Sequence, residues 1–184
     1  MADTAKCFIV RNAGEYGSFY LREGVEGDGE HQNYWCELTC NTSFGTVGYY
    51  WSSMGGPAAW FLNKIDNGYL IGKLWMGNSS VLDVDKALKQ LRAEIIKERK
   101  AGDLTKENAR DRWNDLSGCE DSELEFNVLV RNTDWLWSIM TEGGGNYGQT
   151  TNQQAIGFCR DLWPSFLEQL KADVEASKEP TCVS

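Results

Sequence analysis

Histidine, proline and closely spaced metal ligands are scarce in this sequence. His31 is the only histidine among 184 residues, and it lies in an acidic, glycine-rich segment without a serine or cysteine pattern nearby. The six cysteines are scattered and include no CxxC pair. An activated nucleophile needs a base beside it, and a structural zinc site needs four gathered ligands. We therefore expect neither histidine-assisted catalysis nor a metal site, and we predict a non-enzymatic protein without a cofactor.

Long apolar runs are also missing. A membrane-spanning helix needs about 20 apolar residues, and the run Cys7–Val10 is far shorter than the core of a signal peptide. We expect a cytoplasmic protein with reduced thiols and no membrane partner. Cys36 and Cys40 would lie about 13 Å apart on one strand, which is too far for a disulfide between them. With only three prolines to form rigid linkers, 184 residues fit a single domain.

Basic residues are outnumbered by acidic ones. The 18 Lys and Arg residues against 27 Asp and Glu residues give a net charge of −9. This balance disfavours nucleic-acid binding by the whole surface, because attraction to phosphates supplies most of the non-specific affinity. Residues 84–100 are an exception, since six bases less three acids give +3 and leave −12 for the remainder. The candidate nucleic-acid face of this segment comprises Lys86, Lys89, Arg92 and Lys97.

The acidic residues cluster in two segments. We interpret the first as an exposed loop, and the second begins in an acidic loop over residues 117–122. The clusters comprise Glu23, Glu26, Asp28 and Glu30, and Glu120, Asp121, Glu123 and Glu125. Carboxylate oxygens bind divalent cations, but the spacing of an EF-hand is absent here. Solvated charge is the alternative to a binding role. If the loops bind a partner, their carboxylates can imitate phosphates and occupy a basic groove.

The first third of the chain has the composition of short strands. The predicted strands cover residues 6–12, 16–22, 34–40 and 44–51. Ala13-Gly14-Glu15 is typical of a hairpin turn between the first two strands. Residues 23–32 are expected to form an exposed loop because of their glycines and acids. We predict a four-strand antiparallel meander over residues 6–52.

From Pro57 onward the spacing of apolar residues becomes helical. A first helix is expected to break at Asn67-Gly68, and residues 69–76 fit either a helix or a strand. The clearest helix follows Asp83 as N-cap, with a core-facing stripe of Val84, Ala87, Leu88, Leu91, Ile95 and Ile96. Asp103 or Thr105 caps the next helix, which reaches about Leu116.

The last third is predicted to be helical with one long loop. Residues 123–140 fit both a strand and a helix, and we favour a helix. Residues 143–153 have the composition of a loop, and a final helix over residues 151–176 is either kinked at Pro164 or divided into two abutting helices. The sequence thus predicts a single α+β domain over residues 1–184, mainly β over 1–56 and mainly α over 57–177, with four to five helices. Residues 178–184 are expected to be a frayed tail.

Six aromatic side chains lie between Phe44 and Leu62. In a strand, Tyr49 and Trp51 share one face while Tyr50 points to the other, so one of these sets is expected to be partly exposed. Exposed tyrosine and tryptophan are favoured at protein interfaces. Core packing is the alternative for each residue, and Tyr50 is our candidate contact residue.

Two stretches resemble small accessory proteins of bacteriophages and prophages. The first is FGTVGYYWSSMGGPAAWFLNKIDNGYLIGKLW, residues 44–75, and the second is GDLTKENARDRWNDL, residues 102–116. In such proteins a strand with a GT-aromatic-W-G pattern leads into an FL helix and a YL-GKL segment. The resemblance implies a protein made inside an infected bacterium, a class that includes inhibitors of restriction and CRISPR systems. It assigns no role to any residue.

Three functional hypotheses follow. The first is a binding protein that inhibits or modulates a host protein, with a nucleic-acid-binding defence complex as one candidate partner. Its candidate contacts are Glu23, Glu26, Asp28, Glu30, Glu120, Asp121, Glu123 and Tyr50. The second is a nucleic-acid-binding regulator that uses the basic residues of 84–100, and the third is an enzyme of unrecognised type. The sequence leaves the oligomeric state open.

Overall fold

The computed structural model of the chain describes residues 4–28, 31–119, 122–141 and 146–177. The chain divides into two compact units. Unit 1 comprises Met1–Ser79 and Asn152–Ser184, and unit 2 comprises Ser80–Thr151. The single domain expected from the sequence stays a prediction. The expected tail at residues 178–184 lies outside the described residues.

Unit 1 contains the four-strand antiparallel sheet that the sequence predicts. Its strands are β1 (Lys6–Asn12), β2 (Glu15–Glu26), β3 (Asn33–Thr42) and β4 (Gly45–Trp51), and they lie in the order β1-β2-β3-β4. The turn between β1 and β2 places Ala13 at φ 53° and Gly14 at φ 84°. Positive φ at both central residues matches the right-handed twist of a two-residue hairpin. The meander is therefore confirmed.

Strand β2 is longer than the sequence predicts. Glu23–Glu26 were expected in an exposed loop, but they continue the ladder, from Glu23 opposite Cys36 to Glu26 opposite Asn33. The expected loop is wrong for these residues. Gly24 allows the Trp35 ring to lie against β2, because a Cβ there would lie 2.6 Å from a carbon of that ring. A larger residue would push that ring off the strand.

Eight helices and two short strands form the remaining regular secondary structure of the described residues. They are α1 (Ala58–Leu62), α2 (Asn67–Leu74), β5 (Ser80–Leu82), α3 (Val84–Ala101), α4 (Lys106–Ser117), α5 (Glu123–Asn132), α6 (Asp134–Thr141), β6 (Gln149–Thr151), α7 (Gln153–Asp161) and α8 (Trp163–Ala176). The α+β class is confirmed. The described part of the chain has eight helices where four to five were expected. Residues 123–140 and 151–176 each form two helices, and residues 69–76 belong largely to α2.

The helices of unit 1 cover one face of the sheet. Phe19 on β2 stacks on Phe166 of α8 with 4.4 Å between the ring centroids, and Phe8 lies 5.5 Å from the same ring. Pro164 lies in the first turn of α8, where its missing N–H costs no helical hydrogen bond. Two abutting helices, the second alternative for residues 151–176, are therefore what forms.

Asn67-Gly68 begins a helix instead of ending one. Helix α1 already stops at Leu62, and the Asp66 carboxylate accepts a hydrogen bond from the backbone N–H of Tyr69 at 2.8 Å. An aspartate N-cap satisfies one of the free N–H groups at a helix start. The expected break at Asn67-Gly68 is therefore wrong, since the local cap outweighs the turn tendency of these two residues.

Unit 2 contains α3 to α6 and the β5–β6 pair. Asp83 caps α3 through a 2.9 Å bond from the backbone N–H of Lys86, and Gly102 ends the helix at φ 91°. The predicted stripe is buried except for Ile96, which is 45% exposed. Residues 149–151 were expected to be loop but form β6, which pairs with β5. Thr133 separates α5 from α6, so residues 123–140 are helical with one break.

No helix in the described part of the chain is both long enough and apolar enough to span a membrane.

Candidate interaction surfaces

The uncovered face of the sheet in unit 1 carries several exposed aromatic rings. Side chains alternate between the two faces of a strand, so Phe19 and Leu21 are buried while Tyr20 between them is 44% exposed. Tyr16 on β2 and Tyr50 on β4 point to the same uncovered face and are 42% and 52% exposed. We refer to Tyr16, Tyr20, Trp35 and Tyr50 together as the aromatic sheet face.

Neighbouring contacts hold two of these rings in place. The Trp35 ring lies over Gly24, and its centroid is 6.0 Å from that of Tyr50. Arg22 and Glu37 face each other across β2 and β3 on this face, with 2.9 Å between guanidinium and carboxylate. Tyrosine, tryptophan and arginine are the residue types enriched at the energetic centres of protein interfaces. The face therefore has the composition of a protein-binding surface.

A groove of ≈ 600 Å³ in unit 1 is lined by residues of β2, α1 and α8. Glu23 lies at one side, where its carboxylate accepts a 3.2 Å hydrogen bond from the backbone N–H of Ala58. Trp60 is 47% exposed in the groove, and the Lys64 ammonium lies 3.9 Å from its ring centroid. Lys171 of α8 completes the charged lining. This arrangement can accept a side chain or a short segment.

Sequence reasoning missed this groove. Its lining residues come from three separate parts of the chain, and no local pattern connects Glu23 with Lys171. The only part of the groove that the sequence indicated was the start of α1, which Pro57 marks.

Three of the five described cysteines, Cys36 and Cys40 on the inner face of the sheet and Cys159 on α7, are buried, and burial makes these thiols unreactive. Burial, with a contribution from the Glu23 charge, raises the pKa of Cys36 to about 12. Burial also raises the pKa of Cys40, and it raises the pKa of Cys159 to about 11. Because the thiolate is the nucleophile and the metal ligand, these thiols are packing groups at neutral pH. Among the described residues, no three His, Cys, Asp or Glu side chains are grouped closely enough to hold a metal ion.

The acidic candidates are placed in different surroundings. Glu23 lines the groove, Glu26 ends β2, and Asp28 is exposed in the turn that follows. Glu123 is exposed in the first turn of α5, in unit 2. The remaining three, Glu30, Glu120 and Asp121, lie outside the described residues. Tyr50 is the predicted contact residue that the structure places on the aromatic sheet face.

The basic candidates on α3 are engaged within unit 2. Lys89 forms an ion pair with Asp85, and Lys97 lies 2.8 Å from Glu94. Lys86 donates to the backbone carbonyl of Gln149 at 2.7 Å. Arg92 lies over the Trp113 ring, 5.6 Å from its centroid. Ion pairs thus neutralise two of the four candidate cations, Lys89 and Lys97, and the nucleic-acid alternative stays a prediction.

A different part of the α3–α4 pair carries exposed cations. Ile96 and Trp113 are 45% and 39% exposed, and Arg99, Lys100 and Arg110 surround them in a shallow cavity of ≈ 370 Å³. We refer to these five residues as the basic-rimmed patch. The sequence signal for it was weak, because the apolar spacing of α3 placed Ile96 in the core.

Comparisons with known proteins agree with the resemblance noted in the sequence. Neither the curated proteins nor the solved structures include a match to the chain. A family model described as a phage family matches residues 31–172, which is 172 − 31 + 1 = 142 of the 184 residues. The two stretches that carry the resemblance, residues 44–75 and 102–116, both lie within that range. The chain therefore belongs to this phage family, Phage_phiTE_072.

Proposed function

We propose that this phage-family protein is a non-enzymatic accessory protein that binds, and thereby inhibits or modulates, a folded protein of the host bacterium through the aromatic sheet face. The single observation that supports this proposal most is the exposure of Tyr16, Tyr20 and Tyr50 on one side of the sheet, each above 40%. Large, rigid aromatic side chains give much contact area at low entropic cost. An open sheet face suits a flat partner surface.

A protein partner fits this face better than a nucleic acid. Binding of phosphates needs several unneutralised cations. On this face Arg22 is already paired with Glu37, and Arg11, which lies over the Tyr16 ring, adds a single cation. Unit 1 has 8 bases and 13 acids over its whole sequence, a net charge of 8 − 13 = −5. Glu26 and Asp28 place part of this charge at the end of β2. The negative charge favours a basic partner, such as a nucleic-acid-binding defence protein, and speeds the encounter with it.

The test is a comparison of affinities for a purified partner. The tagged protein is used to capture a partner from bacterial lysate, and the dissociation constant of the purified pair is then measured for the wild type and for Tyr20→Ala/Tyr50→Ala. We expect the double variant to bind at least about thirtyfold more weakly, because truncating residues at an interface centre costs about 2 kcal/mol or more. The partner's activity, measured with and without the protein, shows whether binding inhibits it.

Trp137→Ala is the matched control, since Trp137 is 49% exposed but lies on α6 in unit 2. It should bind like the wild type. Glu26→Lys/Asp28→Lys should slow association at low salt, with the difference shrinking at high salt. An unchanged dissociation constant for Tyr20→Ala/Tyr50→Ala, with the fold intact by circular dichroism, would contradict the proposal.

A further inference from the structure

Unit 2 exposes a second apolar surface besides the basic-rimmed patch. Leu124 and Val128 of α5 are 75% and 50% exposed and lie one helical turn apart. They line a cavity of ≈ 440 Å³ together with Asp115 of α4, two residues that follow α4, and Glu125 and other residues of α5. Glu123 and Glu125 lie in the first turn of α5, whereas the base Arg131 lies in its last turn. We refer to Glu123, Leu124, Glu125 and Val128 as the acidic α5 surface.

The two surfaces lie on opposite sides of α4. Trp113 belongs to the basic-rimmed patch, and Asp115 lies beside the acidic α5 surface. Successive residues of an α-helix are rotated by about 100°, so a two-residue separation turns the side chain by about 200°. Neither surface is therefore positioned to cover the other within one chain, which agrees with the exposure of both.

The charges of the two surfaces are complementary. Within the described residues, Arg99, Lys100 and Arg110 form no ion pair, whereas Arg112 and Lys97 of the same helices do. Arg99 donates a hydrogen bond to the carbonyl of Leu104, at 3.4 Å. Three cations thus surround the Ile96–Trp113 pair, and two carboxylates flank Leu124.

We infer that the basic-rimmed patch docks the acidic α5 surface of a second copy of this chain. Leu124 and Val128 pack on Ile96 and Trp113, while the acidic first turn of α5 approaches Lys100 and Arg110 and its last turn points away from them. An amphipathic helix laid on an apolar surface is a common mode of protein recognition. A single-stranded nucleic acid fits less well, because the centre of the patch contains one ring beside aliphatic Ile96 and Ala109.

This contact is heterologous, since each copy offers two different surfaces. A heterologous contact joins copies head to tail into rings or open chains. The surfaces are small, so we expect weak, reversible assembly with a dissociation constant between about 1 μM and 1 mM. The inference involves unit 2 and is independent of the proposed host-binding role of unit 1.

Sedimentation of the purified full-length chain over this concentration range tests the inference. Wild type should form species larger than the monomer as concentration rises, and added salt should weaken them because the charges are solvent-exposed. Lys100→Glu/Arg110→Glu removes the basic-rimmed patch, and Leu124→Ser/Val128→Ser removes the apolar part of the acidic α5 surface. Each variant alone should be monomeric, with association at least about tenfold weaker than that of the wild type.

Mixing the two variants gives the decisive result. Lys100→Glu/Arg110→Glu retains an intact acidic α5 surface, and Leu124→Ser/Val128→Ser retains an intact basic-rimmed patch. The mixture should therefore form a one-to-one dimer that grows no further. Lys86→Glu/Lys106→Glu is the charge-matched control and should assemble like the wild type.

Three outcomes would overturn the inference. They are a wild type that stays monomeric throughout the concentration range, a mixture of the two variants that does not dimerise, and a control that loses assembly as completely as Lys100→Glu/Arg110→Glu. Because all substituted residues are exposed, a melting curve like that of the wild type confirms that each variant is folded.

Discussion

Glu23 and Cys36 lie opposite each other on β2 and β3, on the inner side of the sheet. The sequence suggested a contact role for Glu23 in a loop, but its carboxylate instead accepts the first free N–H of α1. A carboxylate near a helix N-terminus is stabilising, because the free N–H groups there carry partial positive charge. Glu23 thus links the sheet to α1, and its charge adds to the burial that keeps the Cys36 thiol protonated.

Because of the Cys36 thiol, we expect the free energy of unfolding to fall as the pH rises through the alkaline range. The pKa of Cys36 rises from an ordinary value of 9.0 to about 12 in the folded chain. Its contribution to the free energy of unfolding is complete below pH 9.0 and is lost as the pH rises toward about 12, because the unfolded chain releases the proton first. We expect this decline to be shallower in Cys36→Ala, as measured by urea unfolding on both sides of pH 9.0.

Val47→Ala serves as the comparison, since it shortens a partly buried side chain that packs on the same core but has no titrating proton. It should lower stability without changing the slope against pH. A decline just as steep in Cys36→Ala as in Val47→Ala would show that other groups cause it.

At the level of elements, short-range caps decide where helices begin. Asp66, Asp83, Thr105 and Ser122 each accept a bond from a backbone N–H three residues further on. The start at Asp83 was predicted, because an acidic side chain stands directly before an apolar stripe, and Thr105 was one of the two caps proposed for α4. The start at Asp66 was missed, since Asn67-Gly68 has the composition of a turn.

Removing the cap of α3 should destabilise unit 2. Asp83→Ala loses the 2.9 Å bond from the N–H of Lys86, and we expect a loss of about 1 kcal/mol in the free energy of unfolding. Asp83→Asn should retain most of the stability, because asparagine is also a good N-cap. Asp103→Ala is the matched control, since Thr105 and not Asp103 caps α4. Denaturant unfolding of the four chains, wild type included, measures the difference, and equal losses for Asp83→Ala and Asp103→Ala would contradict the role of the cap.

For the whole molecule, the division into two units has a direct consequence. The chain leaves unit 1 after Ser79 and returns at Asn152, whose backbone N–H donates to the Ser79 carbonyl at 3.0 Å. The Asn152 side chain also donates to the carbonyl of Asn78 at 3.0 Å. The two ends are therefore held next to each other within unit 1.

We expect unit 1 to fold without residues 80–151. Joining Ser79 to Asn152 through a short glycine linker should give a chain that unfolds cooperatively, as measured by circular dichroism against denaturant, and retains the partner affinity of the aromatic sheet face. A cooperative transition of the shortened chain would indicate two independently folding units instead of the predicted single domain. A shortened chain without a cooperative transition would instead support one domain over the full length.

Local patterns were sufficient for much of this fold. The hairpin at Ala13-Gly14, the capped helix after Asp83, and the opposite directions of Tyr50 and Trp51 all follow from interactions over a few residues. Apolar residues that recur every 2 or every 3.6 positions indicate such features directly, because these periods arise from the geometry of a single strand or helix. The resemblance to phage proteins was likewise carried by two continuous stretches, and family membership confirms it.

Tertiary structure decided the surfaces. The extension of β2 depends on pairing with β3. The groove beside Glu23 depends on Lys171 and other residues far away in the chain. The exposure of Ile96 is set by how α3 and α4 pack, although the spacing of α3 alone assigned it to the core. Such features depend on which distant side chains come together, and one-dimensional spacing contains no information about those pairings. The sequence by itself therefore determined most of the helices and strands, whereas the candidate sites depend on how those elements pack.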